Sequence, residues 1–136
     1  MFVLHPQLKK DCIQVCELPL SLVLLMNDSQ FPWLIQVPRL ADITEVIELT
    51  EQQQNSLWQE SALLDRALQA LYQPDKLNLA ALGNMVPQLH IHHIARFKHD
   101  LAWPGPVWGK VPAVPYEPDA LEKTVEGLRQ QISIDK

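Results

Sequence analysis

An α+β fold, with an antiparallel sheet packed against one long helix and a further helix at the C-terminus, is predicted by three features of the sequence. Short apolar runs bounded by proline or polar turn residues fall between residues 12 and 37, and again between 76 and 97. One uninterrupted segment of helical period lies between them, from Thr50 to Pro74. A second follows Pro118. Strands grouped on either side of a helix fit helices laid on one antiparallel sheet. The 136 residues suit one domain over 1–136, and 47% hydrophobic residues suffice for a core.

Residues Cys12 to Leu18 alternate moderately and predict a strand that Pro19 stops. Leu22 to Asn27 is a second strand candidate, and Asn27-Asp28-Ser29-Gln30 a turn. Trp33 to Val37 is a third run, ended by Pro38 and Arg39, so the two runs read as a hairpin. Thr50 and Gln53 have capping-box spacing at the start of the long helix. Leu57, Leu64, Leu68 and Leu71 make its apolar stripe, with Trp58, Leu63 and Ala67 beside them. Lys76 to Leu82 and Gln88 to Phe97 predict two more strands around a Gly83-Asn84 turn. Residues 98–118 are too rich in proline and tryptophan for regular structure and should run as an ordered loop. Leu121, Val125, Leu128 and Ile132 stripe the last helix.

The net charge of −5 argues against a nucleic-acid polymer as partner, because such binding needs cations to displace phosphate counterions. A small phosphorylated ligand stays open, since a pocket can be locally rich in N–H donors. The longest apolar run, Leu22 to Met26, is far too short to span a bilayer. No membrane partner is expected, and a cytoplasmic location is the default. Cys12 and Cys16 lie four apart in one strand, too distant to bridge, and are expected as free thiols.

The segment Gln88-Leu89-His90-Ile91-His92-His93-Ile94-Ala95-Arg96 carries the chemistry. In a strand, Gln88, His90, His92, Ile94 and Arg96 share one face, and Leu89, Ile91, His93 and Ala95 the other. Two imidazoles at this spacing stand roughly 6–7 Å apart at Cα and can address one small group together. A neutral imidazole is available near pH 7 to attack phosphorus, while its neighbour donates a hydrogen bond. Two alternatives stay open on the residues alone. His-x-His can bind zinc, with His93 or His99 as a further ligand. The histidines can also be ordinary polar residues of a solvated face. Arg96, at the strand end, is expected in solvent.

The stretch from Leu77 through Leu82-Gly83-Asn84-Met85-Val86-Pro87-Gln88-Leu89-His90-Ile91-His92-His93 to Arg96 resembles the histidine-triad (HIT) superfamily, whose signature is His-φ-His-φ-His-φ-φ with φ apolar. Phe31-Pro32-Trp33-Leu34-Ile35-Gln36-Val37-Pro38-Arg39 and Trp103-Pro104-Gly105-Pro106-Val107-Trp108 are similar to one bacterial subgroup. The resemblance runs from about Leu22 to Trp108. It implies a HIT-like fold, a homodimer, and hydrolase or transferase chemistry at the α-phosphate of a small nucleotide. Dinucleoside polyphosphates and nucleoside phosphoramidates are typical substrates, with neither metal nor other cofactor. It implies His90 as nucleophile through a covalent nucleotidyl intermediate, and His92 as the contact to phosphoryl oxygens. Asn78 would face the phosphate, Gly83 and Asn84 would present donors, and Asn27 with Asp28 would hold the ribose hydroxyls.

Gln88 departs from this pattern by standing where the first histidine belongs. It can orient through hydrogen bonds but cannot titrate near neutral pH. The alternative reading is therefore a nucleotide-binding protein with little turnover. Trp33 stands where many members carry a separate upstream histidine. His93 replaces an apolar residue and is expected in a structural role. Trp103 and Trp108 could stack on a base, but pinning the loop is the preferred reading.

Overall fold

Proline, polar turns and one helix cap set the element boundaries in the computed structural model, which describes all residues from Met1 to Lys136. In chain order the elements are α1 (Pro6–Asp11), β1 (Cys12–Glu17), β2 (Ser21–Met26), β3 (Trp33–Pro38), a 3-10 turn (Val46–Glu48), α2 (Glu51–Tyr72), β4 (Lys76–Ala80), β5 (Ile91–Arg96) and α3 (Pro118–Asp135). The five strands form one sheet in the order β1-β2-β3-β5-β4. Every neighbouring pair is antiparallel. The fold is α+β, with the long helix and the C-terminal helix that the sequence predicts.

The α2 cap is the one read from the sequence. Thr50 Oγ1 accepts from Gln53 N at 3.1 Å, and Gln53 Oε1 accepts from Thr50 N at 2.8 Å. Two orphan N–H groups at the helix start are thereby satisfied. Gln73, in the left-handed region at φ 51°, closes α2 just before Pro74. Leu57, Leu63, Leu64, Ala67 and Leu68 of the stripe are buried. Leu71 and Trp58 are not, at 39% and 47% exposed. The buried face of α2 instead includes the polar residues Glu60 and Ser61.

Both faces of the sheet are covered, which explains why β2 and β3 read as continuous apolar runs rather than alternating ones. On the helix side, Val23, Leu25 and Leu34 pack with Leu64, Leu68, Leu128 and Ile132. On the other side, Leu24, Trp33, Ile35 and Ile94 pack under Leu8, Phe31, Ala102 and Val107. That second layer has no long helix. It consists of the N-terminal segment, with the short α1 that sequence periodicity does not reveal, and the proline-rich loop. At proteins' usual 25 cal/mol per Å2 of apolar surface, these two layers supply the main driving force of folding.

Two buried polar knots fasten these layers. His93 lies on the helix side with no exposure. Its Nδ1 is 2.9 Å from Asp65 Oδ1 and its Nε2 is 3.1 Å from Gln36 Oε1. Ser61 Oγ donates to the same Gln36 oxygen at 2.7 Å. The structural role expected for His93 is thus a bond between β5, β3 and α2. On the opposite face, Arg96 is 1% exposed rather than solvated. Its guanidinium donates to both Asp100 carboxylate oxygens, to Asn78 Oδ1 at 2.7 Å and to Gly105 O at 2.8 Å. Asp100 Oδ1 in turn accepts from the N–H groups of Ala102 and Trp103. A strand-end arginine is buried here because the loop it organises folds back over it.

Arg96→Met keeps the volume but leaves the Asp100 carboxylate buried without its cation. Breaking one partner of such a pair should destabilise the fold by about 3–5 kcal/mol. Equilibrium denaturation followed by tryptophan fluorescence checks this; a loss below about 1 kcal/mol, the range of exposed pairs, would contradict it.

Candidate active site

Strand β5 begins at Ile91, so Gln88 and His90 lie in the lead-in and not in the ladder. The sequence expectation of a strand from Gln88 to Phe97 is too long at its start. Pro87 withholds an N–H, Leu89 N is drawn to Ile43 O at 2.9 Å, and His90 turns back on its own chain. That local contact sets its chemistry. His90 Nδ1 lies 2.7 Å from the main-chain oxygen of Gln88. A carbonyl only accepts, so the proton sits on Nδ1 and Nε2 keeps its lone pair. No protein group takes up Nε2, although the residue is only 4% exposed.

His92 is fixed by the same logic with the opposite tautomer. Trp33 Nε1, a donor only, lies 3.0 Å from His92 Nδ1. The His92 proton is therefore on Nε2, which donates to Leu82 O at 3.1 Å. The two rings stand edge to face with centroids 4.8 Å apart. Trp108 closes on His92 at 5.0 Å and on Trp33 at 5.8 Å, both nearly perpendicular. Trp33 thus holds the second imidazole in one orientation, and Trp108 both seals the loop and walls the site. Trp103 stands apart under the Arg96 guanidinium, 5.8 Å from its centre.

Burial pushes the pKa of both imidazoles down. For His90, the Gln88 carbonyl opposes this and the charge of His5 adds to it. For His92, the charge of His90 adds to burial, the Leu82 carbonyl opposes it, and the pKa falls to about 4. Both rings are neutral at pH 7, as a lone-pair nucleophile requires.

One cavity reaches His90, and a second lies against Trp33 and Trp108, the partners of His92. One, of about 270 Å3, is walled by Gly83, Asn84, Gln88 and His90 together with Thr44 and Glu45. The other, of about 440 Å3, is walled by Asn27, Asp28, Trp33 and Trp108, with Met26 and Lys10. Gly83 sits so close to His90 that an added Cβ would meet Val86 O at 2.7 Å and His90 Cε1 at 3.3 Å. Asn27 Oδ1 is held by Tyr116 N, and Asp28 Oδ1 by Gln30. The Asn27 amide nitrogen and Asp28 Oδ2 have no hydrogen-bond partner in the chain. Asn78 lines neither cavity; its oxygen is committed to Arg96. The Gln88 side chain is committed too, accepting from His5 N at 2.8 Å and donating to Val3 O at 2.9 Å. It ties the N-terminal segment beside His90. Sequence reasoning did not find Thr44, Glu45 or His5, which no local pattern links to the histidines. No group of three or more histidine, cysteine or acidic side chains converges as a metal site.

The family model described as the HIT domain matches residues 7–99. The chain belongs to the HIT family. A histidine triad protein from Marinobacter aquaeolei VT8 is 47% identical, with a TM-score of 0.96 over 100% of this chain and 99% of that one. Another from Bradyrhizobium japonicum is 46% identical, with a TM-score of 0.94 over 96% and 98%. A third, from Sinorhizobium meliloti 1021, is 42% identical, with a TM-score of 0.93 over 96% of each chain. No curated protein matches the chain. Membership of the HIT family supports a nucleotide-binding or hydrolase-type function. No helix is long and apolar enough to cross a membrane.

The depressed pKa of His92 makes stability depend on pH. Between about pH 6.5 and about 4 the unfolded chain holds a proton on this ring and the folded chain does not. Stability conferred by the neutral ring is therefore full above pH 6.5 and lost as the pH falls toward 4. His92→Gln, which does not titrate, should narrow its stability gap to wild type across that interval in denaturant titrations. A gap that stays constant from pH 7 to 4 would show that His92 is not buried as a neutral ring.

Proposed function

We propose that this HIT protein transfers the nucleotidyl group of a small nucleotide to His90 and then to water. The observation that carries the reading is the bare Nε2 of His90, pointed by the Nδ1–H bond to Gln88 O and standing in a cavity wall. In the first step the Nε2 lone pair forms a bond to the α-phosphorus. The bond from phosphorus to the leaving group breaks, and its electron pair departs with the leaving atom, which takes a proton from water. In the second step a water oxygen bonds to phosphorus and releases its proton to solvent. The P–Nε2 bond breaks, and its electron pair returns to His90.

Several groups support charge build-up on the phosphoryl oxygens. The main-chain N–H groups of Gly83 and Asn84 have no main-chain partner. The His92 Nε2 proton can be drawn from Leu82 O to a phosphoryl oxygen. Donors aimed at such a centre in a dry site are usually the largest catalytic term. The groove with Trp33, Trp108, Asn27 and Asp28 suits the nucleoside, its rings offering stacking and Asp28 Oδ2 accepting from ribose hydroxyls. Asn78 serves this reading through Arg96 and the loop bearing Trp108. We place the reaction in the cytoplasm, with no metal or cofactor.

The chain is further proposed to be a homodimer. β4 is an outer strand with its free edge unpaired, and Leu79 on it is exposed. Such an edge is a ready template for a second copy. Light scattering should give twice the 15.5 kDa chain mass, and Leu79→Lys should shift it toward the monomer.

Wild type incubated with adenosine phosphoramidate should release AMP and show a transient nucleotidyl adduct on His90 by mass spectrometry. His90→Ala should abolish both while still being stabilised thermally by AMP. AMP release undiminished in His90→Ala would refute the nucleophile. Binding without release by wild type would instead favour a nucleotide-binding protein. Gly83→Ala, by displacing the His90 ring, should lower turnover about tenfold or more, since small misplacements of a nucleophile are costly. Turnover within a factor of two of wild type would contradict that contact.

A further inference from the structure

The smaller cavity has two walls of different origin. One is the Gly83–His90 lead-in that carries the nucleophile. The other is the Thr44-Glu45 turn, for which the reaction above has no use. That turn is rigidly placed. Ile43 O accepts from Leu89 N at 2.9 Å, one residue before His90. Glu48 Oε1 accepts from Thr44 N at 3.1 Å, Thr44 Oγ1 at 2.8 Å and Glu45 N at 2.8 Å. The Glu45 carboxylate caps this turn in a capping box with Glu48 and has no ion pair. None of the chain's lysines or arginines lines this cavity. Lys10 lies in the other groove, on the Asn27 and Asp28 side. His90, 4% exposed and with Nε2 unpartnered, lines the same space.

We propose that this cavity is the leaving-group subsite and that Glu45, presented by the Thr44–Glu48 turn beside His90, selects leaving groups that carry a positive charge over polyphosphates. The inference rests on the nucleotidyl-transfer reading and adds the chemistry of the departing half. A tetraphosphate leaving chain would bring several negative charges toward a carboxylate that has no ion pair, in a cavity that no lysine or arginine lines. An alkylamine joined to the phosphorus and ending in an ammonium would place that ammonium against Glu45. Because Glu45 is exposed, the selection should be modest and salt-dependent, about three- to fivefold, as for a solvated ion pair.

Three substrates test this: AMP joined through a P–N bond to 1,4-diaminobutane, its neutral counterpart with pentylamine, and diadenosine tetraphosphate. Wild type should show the highest kcat/KM for the diaminobutane conjugate and the lowest for the tetraphosphate. Glu45→Gln should bring the two amine conjugates level, and Glu45→Lys should reverse their order and raise activity on the tetraphosphate. Equal rates on the two amines in wild type, or an unchanged order in Glu45→Lys, would overturn the subsite. The pentylamine conjugate separates the two ideas. Its cleavage by wild type but not by His90→Ala upholds nucleotidyl transfer whatever the charge preference. If none of the three is cleaved, the reaction and the subsite fall together.

Discussion

The site depends on one hydrogen bond, from His90 Nδ1 to the carbonyl of Gln88. It decides which nitrogen keeps its lone pair, and it uses main chain rather than side chain to do so. The side chain at position 88 is therefore free to serve elsewhere, and here it holds Val3 and His5. The identity of the side chain at position 88 leaves that orientation untouched, because the orienting atom is present in every amino acid. The tautomer of His92 is settled in the opposite sense by Trp33, an indole that can only donate. Two neighbouring imidazoles thus receive different protonation patterns from partners that cannot change role.

Holding those partners still requires the second layer of the fold. The face of the sheet away from the helices is closed by loop and N-terminal segment, which have little regular hydrogen bonding of their own. Arg96 and Asp100 supply the missing organisation by binding five main-chain or side-chain groups of the loop and β4, namely Asn78, Phe97, Ala102, Trp103 and Gly105. Trp108 reaches His92 from that loop. The rigidity of the histidine pair is thereby linked to a buried ion pair at the far end of the same strand.

How much of this is legible in the sequence follows the range of the interactions. The α2 cap, the apolar stripes and the strand runs are local patterns, and the structure places them within a residue or two. His90 and His92 stand out because their spacing is itself local. The start of β5 is misjudged because apolar alternation continues past Pro87, while the bonds that end the ladder come from Ile43, distant in sequence. Arg96 and Asn78 are read as a solvated end and a phosphate contact. Their mutual bond joins adjacent strands that a sequence cannot pair beforehand. Thr44 and Glu45 carry no periodic signal at all. The short α1 escapes because six residues hold too few apolar positions to show a period.

The adjacent histidines of β5 raise a problem that the helix-side knot resolves. If β5 moved along β3 by one position and turned over, His93 would present an imidazole where His92 now stands, while Ile91 would take the place of His90. Ile94 would then occupy the socket made by Asp65, Gln36 and Ser61, leaving those groups facing a hydrocarbon. The doubled histidine is ambiguous at the His92 position alone, and the socket on the other face removes that ambiguity. The polar socket behind the strand acts as a proofreader of alignment, guarding the face that carries His90 and His92 without ever touching it.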